Sequence, residues 1–171
     1  MQFLFKTICL PFLPEYNDVQ FKVKTKFDDK NELTIIGLGA LDDFQLNTDA
    51  NETEVQKYQL QTLPDFGQLN YTIGLNYKRY RGNSYSTIVL SRNYLKNTTV
   101  KYPNNDESKL PLLDYASKEI ENKFRIENTN RVNEFKINSG ISLESAEYTN
   151  ETYNNTPFGI IDYNSKLTFM R

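Results

Sequence analysis

Apolar and polar residues alternate along this chain with a period of two, in seven separate runs. In the first, Val19, Phe21, Val23 and Phe27 stand on one side and Gln20, Lys22, Lys24 and Lys26 on the other. That is the pattern of an extended strand, whose successive side chains point to opposite faces. Asp28-Asp29-Lys30-Asn31 predicts a compact turn, and Leu33 to Leu41 a second strand. A third runs from about Leu69 to Tyr80, with Leu69, Tyr71, Ile73, Leu75 and Tyr77 sharing a face opposite Gln68, Asn70, Thr72, Gly74, Asn76 and Lys78. Arg81-Gly82-Asn83 turns the chain into a fourth, Ser84 to Arg92. In the fifth, Lys118 to Val132, Ile120, Phe124, Ile126 and Val132 oppose Glu119, Glu121, Lys123, Arg125, Glu127, Thr129 and Arg131. A helix would spread those charges around its circumference, whereas a strand gathers them on one side. After a turn at 132–134, Phe135, Ile137, Ile141 and Leu143 alternate with Lys136, Asn138, Ser142 and Glu144. The seventh run, Ile161 to Phe169, sets Ile161, Tyr163, Leu167 and Phe169 against Asp162, Asn164, Lys166 and Thr168.

The connections between these runs are unequal in an orderly way. Those at 28–32, 81–83 and 132–134 are tight, while those at about 43–66, 96–116 and 149–158 are long and polar. In an up-and-down sheet, that strict alternation puts every tight turn at one end and every long loop at the other. Outer-membrane barrels have this asymmetry, and Greek-key sandwiches have no reason to produce it. Several runs also outlast the ~9–11 residues that cross a tilted bilayer. A charged strand face suits a wet lumen, and tyrosines at strand ends suit the interfacial girdles of such barrels. A soluble antiparallel sheet with one solvated face alternates too, so the asymmetry decides in favour of the barrel.

Composition narrows the chemistry. The 171 residues carry 20 basic and 22 acidic side chains, a net charge of -2 that argues against a nucleic-acid partner. Histidine is absent and Cys9 is the single cysteine, which removes the commonest general base and any internal disulfide or Cys-based metal cage. Tyr and Phe supply all of the 13% aromatic residues. The opening segment, Met1 to Pro14, lacks a basic n-region, and Lys6 interrupts its apolar stretch. It therefore predicts an ordered lead-in to a strand in preference to a signal peptide.

Four segments stand out: Leu112-Leu-Asp-Tyr-Ala-Ser-Lys-Glu-Ile-Glu-Asn-Lys-Phe-Arg125, Leu90-Ser-Arg-Asn-Tyr-Leu-Lys-Asn-Thr98, Asn31-Glu-Leu-Thr-Ile-Ile-Gly-Leu-Gly-Ala-Leu-Asp-Asp-Phe44 and Leu10-Pro-Phe-Leu-Pro-Glu-Tyr-Asn-Asp18. They resemble the barrel of TonB-dependent outer-membrane receptors from Bacteroidetes-type bacteria. The resemblance covers nearly the whole chain in order. It implies a large barrel of about 22 strands, a plug domain inside it, coupling to TonB and uptake of a nutrient. Seven strands ~4.8 Å apart make only ~34 Å of sheet, too little to close around a plug. An open sheet in lipid would leave two unpaired edges. Residues 1–171 are therefore expected to be one partial barrel, with the plug and the remaining strands absent.

Short motifs add no chemistry to this picture. Gly37-Leu-Gly39 begins like a dinucleotide fingerprint, but Asp42 stands where the third glycine belongs and no helical pattern follows. Lys78-Arg-Tyr-Arg81 interleaves cation and aromatic and fits headgroup-level residues better than a nucleic-acid site. Asn104-Asn-Asp-Glu107 and Leu41-Asp-Asp43 lack the spacing of a calcium loop and read as solvated acids. Asn70-Tyr-Thr, Asn97-Thr-Thr and Asn150-Glu-Thr match a glycosylation sequon in a chain rich enough in Asn and Thr to produce it by chance. Glu119 and Glu121 stand at a separation that a glycosidase could use, yet Lys123 and Arg125 beside them make a mixed charge ladder.

The expectation is thus an all-β chain: an antiparallel up-and-down meander of about seven long strands, a segment of a large transmembrane β-barrel in the outer membrane. Its partners would be the lipid bilayer, the plug, TonB and a nutrient ligand, with no nucleic acid. No catalytic, cofactor-binding or metal-binding residue is assigned, the ligand-binding residues are undefined, and no enzyme activity is expected. The alternative is a soluble secreted β-sheet binding module of carbohydrate-binding type.

Overall fold

The computed structural model describes residues 10–171, so Cys9 and most of the predicted lead-in lie outside the described residues. Seven strands form one open sheet in the order β1-β2-β3-β4-β5-β6-β7, each antiparallel to the next. They are β1 (Phe12–Lys26), β2 (Asn31–Leu46), β3 (Asp65–Arg81), β4 (Ser84–Lys101), β5 (Leu113–Val132), β6 (Phe135–Thr156) and β7 (Gly159–Met170). The predicted meander is the observed one.

Every strand is longer than the alternation alone marks. The six hairpins hold a constant register throughout, so no bulge shifts a side chain from one face to the other. Pro14 sits in β1, an edge strand, where a missing N–H costs least. Three tight turns fall at one end: 27–30, 82–83 and 133–134. Gly82 and Asn133 begin the two-residue turns at positive φ, 58° and 54°. That conformation suits glycine and is tolerated by asparagine.

The opposite end corrects the sequence reading twice. The stretch 149–158 is no long loop. Residues 149–156 belong to β6, and Pro157-Phe158 turn directly into β7 through Gly159 at φ 137°. Polar residues on both faces of that stretch hid the strand. The second correction is α1 (Glu54–Thr62), a helix within the segment read as a loop. Its start is a capping box: the Thr53 hydroxyl accepts from the Gln56 N–H, and the Gln56 side chain accepts from the Thr53 N–H.

Between β4 and β5, a short helical turn (Pro103–Asn105) packs beside α1. Lys101 joins the two. Its ammonium donates to the carbonyls of Leu60 at 2.6 Å and Leu63 at 2.7 Å, and to Asn105 Oδ1 at 2.7 Å. Asn47 ties the β2 end to β1, from its N–H to the Pro11 carbonyl and from its amide to that of Leu10. Among the described residues, the buried apolar side chains are Leu13, Ala50 and Leu60, with Pro11 and Pro14. All of them lie at this capped end, and no second layer covers the sheet among the described residues.

Candidate functional site

The constant register gives each face a definite composition. On the first face the row Val23–Ile35–Leu75–Leu90–Phe124–Leu143 runs across six strands as direct cross-strand partners. The row nearer the tight turns adds Leu33, Tyr77, Ile88, Ile126 and Ile141. Farther from those turns lie Phe21 and Ile73, then Val19, Tyr71, Tyr94 and Ile120. The Tyr71 and Tyr94 rings stack there at 5.1 Å. One polar row interrupts the belt: Arg92 donates to Asn122 Oδ1 at 3.0 Å, with Ser145 next in line.

This belt crosses the ladder obliquely. On β2 and β3 it spans Leu33–Leu41 and Leu69–Tyr77, centred on the partners Gly37 and Ile73. The row of Ile73 continues through Arg92 and Asn122 to Ser145. On β6, however, the apolar run is Phe135–Leu143, centred on Ser139, six residues from Ser145. Six residues along the strands, about 20 Å, over four inter-strand steps, about 19 Å, set the belt roughly 45° from the rows.

Gly37 and Gly39 lie in mid-strand inside the belt, where a dinucleotide fingerprint cannot operate. A Cβ on Gly37 would collide with the Phe21 ring, which lies across it. The glycine therefore lets an aromatic side chain cover the backbone.

The second face carries the charges, and they largely neutralise one another. The Lys123 ammonium lies 3.0 Å from Glu121 and 3.8 Å from Glu144, its cross-strand partner. Asn93 donates to Glu121 at 2.7 Å. Arg125 stands 3.4 Å from Glu127, and Lys24 3.0 Å from Glu32. Of the two carboxylates weighed as a glycosidase pair, Glu121 is thus held by this network. Aromatic residues mark the two ends of this face. Phe12, Phe44 and Phe66 stack at the capped end, and Lys78 lies 5.4 Å above the Tyr85 ring near the tight turns.

β7 departs from the pattern. It pairs with Ser145–Thr156, the part of β6 beyond the belt, and its Ile161, Tyr163, Leu167 and Phe169 point to the charged face. Alternation alone cannot assign a face, because parity is fixed only by the register of the pairing.

The loops hold their own acids. Ser108 donates its hydroxyl (2.6 Å) and its N–H (3.1 Å) to Asp106, and Lys109 stands 3.3 Å away. Together, the serine foremost, they hold the Asp106 carboxyl below its ordinary value. Asp28 is likewise lowered, chiefly by the Asn31 amide and then by the Lys30 N–H. The contacts of Asp106 account for one of the two acids read as solvated in 104–107. The three sequons, at Asn70, Asn97 and Asn150, all fall within strands.

No protein-family model and no curated protein sequence matches this chain.

Proposed function

We propose that this sheet is part of the wall of a larger transmembrane β-barrel in the outer membrane, of the type TonB-dependent receptors build. The observation that carries the reading is the oblique belt. A membrane plane cutting strands tilted by about 35–45° produces an apolar band inclined to the ladder rows by that angle. Its height along β2 and β3, nine residues, matches the ~9–11 needed to cross the hydrocarbon core.

The first face then meets lipid, and the charged face lines a wet lumen. The strands project beyond the belt toward the capped end, which faces outward and helps capture a nutrient. Further strands close the barrel, and a plug and TonB complete its function. No reaction is assigned to the wall.

Attaching a polarity-sensitive dye to single cysteines in a Cys9→Ser background tests this in phosphatidylcholine vesicles. Labels at Phe21, Leu90, Ile126 and Leu143 are expected to report hydrocarbon, and labels at Lys22, Ser91 and Arg125 water. Loss of that odd-even contrast overturns the reading.

A second reading, a soluble binding module, draws on Ile161, Tyr163, Leu167 and Phe169 lying on the charged face, where a wet lumen gives them nothing to pack against. A monodisperse full chain without detergent would favour it.

A further inference from the structure

On the first face, just beyond the apolar belt on the capped side, Lys96 of β4 and Lys118 of β5 are direct cross-strand partners. Side chains so placed have Cβ atoms about 4.5–5.5 Å apart, and like charges there destabilise a sheet. Neither ammonium has an ion-pair or hydrogen-bond partner among the described residues. The nearest carboxylate rows do not supply one: Glu147 is engaged by Lys166 at 2.9 Å, and Glu151 lies a row farther out on β6. Lys123 and Lys24 are coupled to acids, whereas a second cross-strand cation pair, Arg131 and Lys136, lies on the opposite face near the tight turns. Among the described residues, Lys96 and Lys118 are the cross-strand cation pair at the rim of the belt, next to the stacked Tyr71 and Tyr94.

We infer that Lys96 and Lys118 clamp the phosphomonoester of an anionic lipid whose acyl chains lie along the belt below. The inference rests on reading the belt as lipid-facing. Charge complementarity supplies the headgroup, since one dianionic phosphate between two ammonium groups converts a repulsive pair into an attractive triad. Continuity with the apolar belt supplies the acyl site: Tyr94 and Ile120 adjoin the lysines on the belt side.

The test is partitioning of the full chain into phosphatidylcholine vesicles with and without phosphatidic acid, for the native sequence and for Lys96→Gln/Lys118→Gln. The native chain is expected to prefer the doped vesicles. Each lysine near an anionic surface is worth about fivefold, so the double variant should lose roughly 30-fold of that preference. Lys96→Arg/Lys118→Arg should keep it. Removing two like charges relieves repulsion, so misfolding does not confound the loss. Lys22→Gln/Lys26→Gln removes the same charge from the opposite face and should leave the preference intact. Equal loss in both double variants would reduce the effect to net charge and overturn the site. Inorganic phosphate that abolishes the preference at a concentration leaving ionic strength unchanged would assign the pair to free phosphate and overturn the lipid. Insertion into neutral vesicles with no preference for doped ones sinks the clamp and spares the barrel reading. Absence of insertion into either sinks both.

Discussion

At the capped end, Leu60 of α1 is 5% exposed, and Lys101, 9% exposed, directs its charge to three oxygens of its own chain. In mid-sheet, Leu90 is 47% exposed and Leu143 55%, although both belong to the broadest apolar surface of the molecule. The cap buries its apolar groups within the chain. The wall satisfies its backbone by laddering and leaves its side chains uncovered on both sides. A single-layer sheet gains little from ladder hydrogen bonds alone, because each replaces a bond to water. Independent stability in water requires a second layer. On the proposed reading the wall obtains its apolar contacts from lipid, whereas the cap needs none.

The sharpest way to break this contrast is a charge placed in the belt. Ile126→Arg should lower stability in vesicles by about 3 kcal/mol, the cost of a cation near the bilayer midplane. On a water-facing sheet the change would stay within about 0.5 kcal/mol. Equilibrium unfolding of the vesicle-bound chain in urea measures the difference, and the smaller value would show that the belt meets water. Next comes Lys101→Met, which leaves two carbonyls and an amide without their charged donor. It should favour local opening of α1 by about 2 kcal/mol, raising exchange of its amides about 30-fold while β5 and β6 are unchanged. Equal acceleration in the strands would mean that wall and cap unfold as one unit.

The smallest effect is set by pH. The Asp106 carboxyl sits below its ordinary value in the folded loop, so its contribution is present above about pH 4. It fades as pH falls through the lowered folded value. The protection of the Ser108 and Lys109 amides, relative to intrinsic exchange at each pH, should therefore fall on acidification below that range and lose this dependence in Asp106→Asn. Persistence of the dependence in the variant would assign it to another group.

What the sequence made legible was the belt. Runs such as Leu69–Tyr77 announce themselves because one face is apolar and the other polar. Beyond the belt that contrast disappears. In 96–101 and 149–156, polar residues occupy both faces, so the strands continue without an alternating signal and the sequence predicts loops there. Helix α1 was missed for a different reason: its mean hydropathy is low and only Leu60 is buried. Thr53-x-x-Gln56 was the available clue. The open lysine pair at Lys96 and Lys118 could not be read either, since adjacency across strands follows from register and not from spacing along the chain.

Six ladders without a bulge also constrain how such a chain can change. Insertions at 47–64 or 102–112 lengthen a loop and leave every strand where it was. A single residue gained or lost inside β3 leaves two outcomes. Either a bulge absorbs it locally, or every strand after it exchanges its apolar-face and charged-face residues at once. Length changes within the wall should therefore be inherited in pairs, while the cap is free to vary one residue at a time.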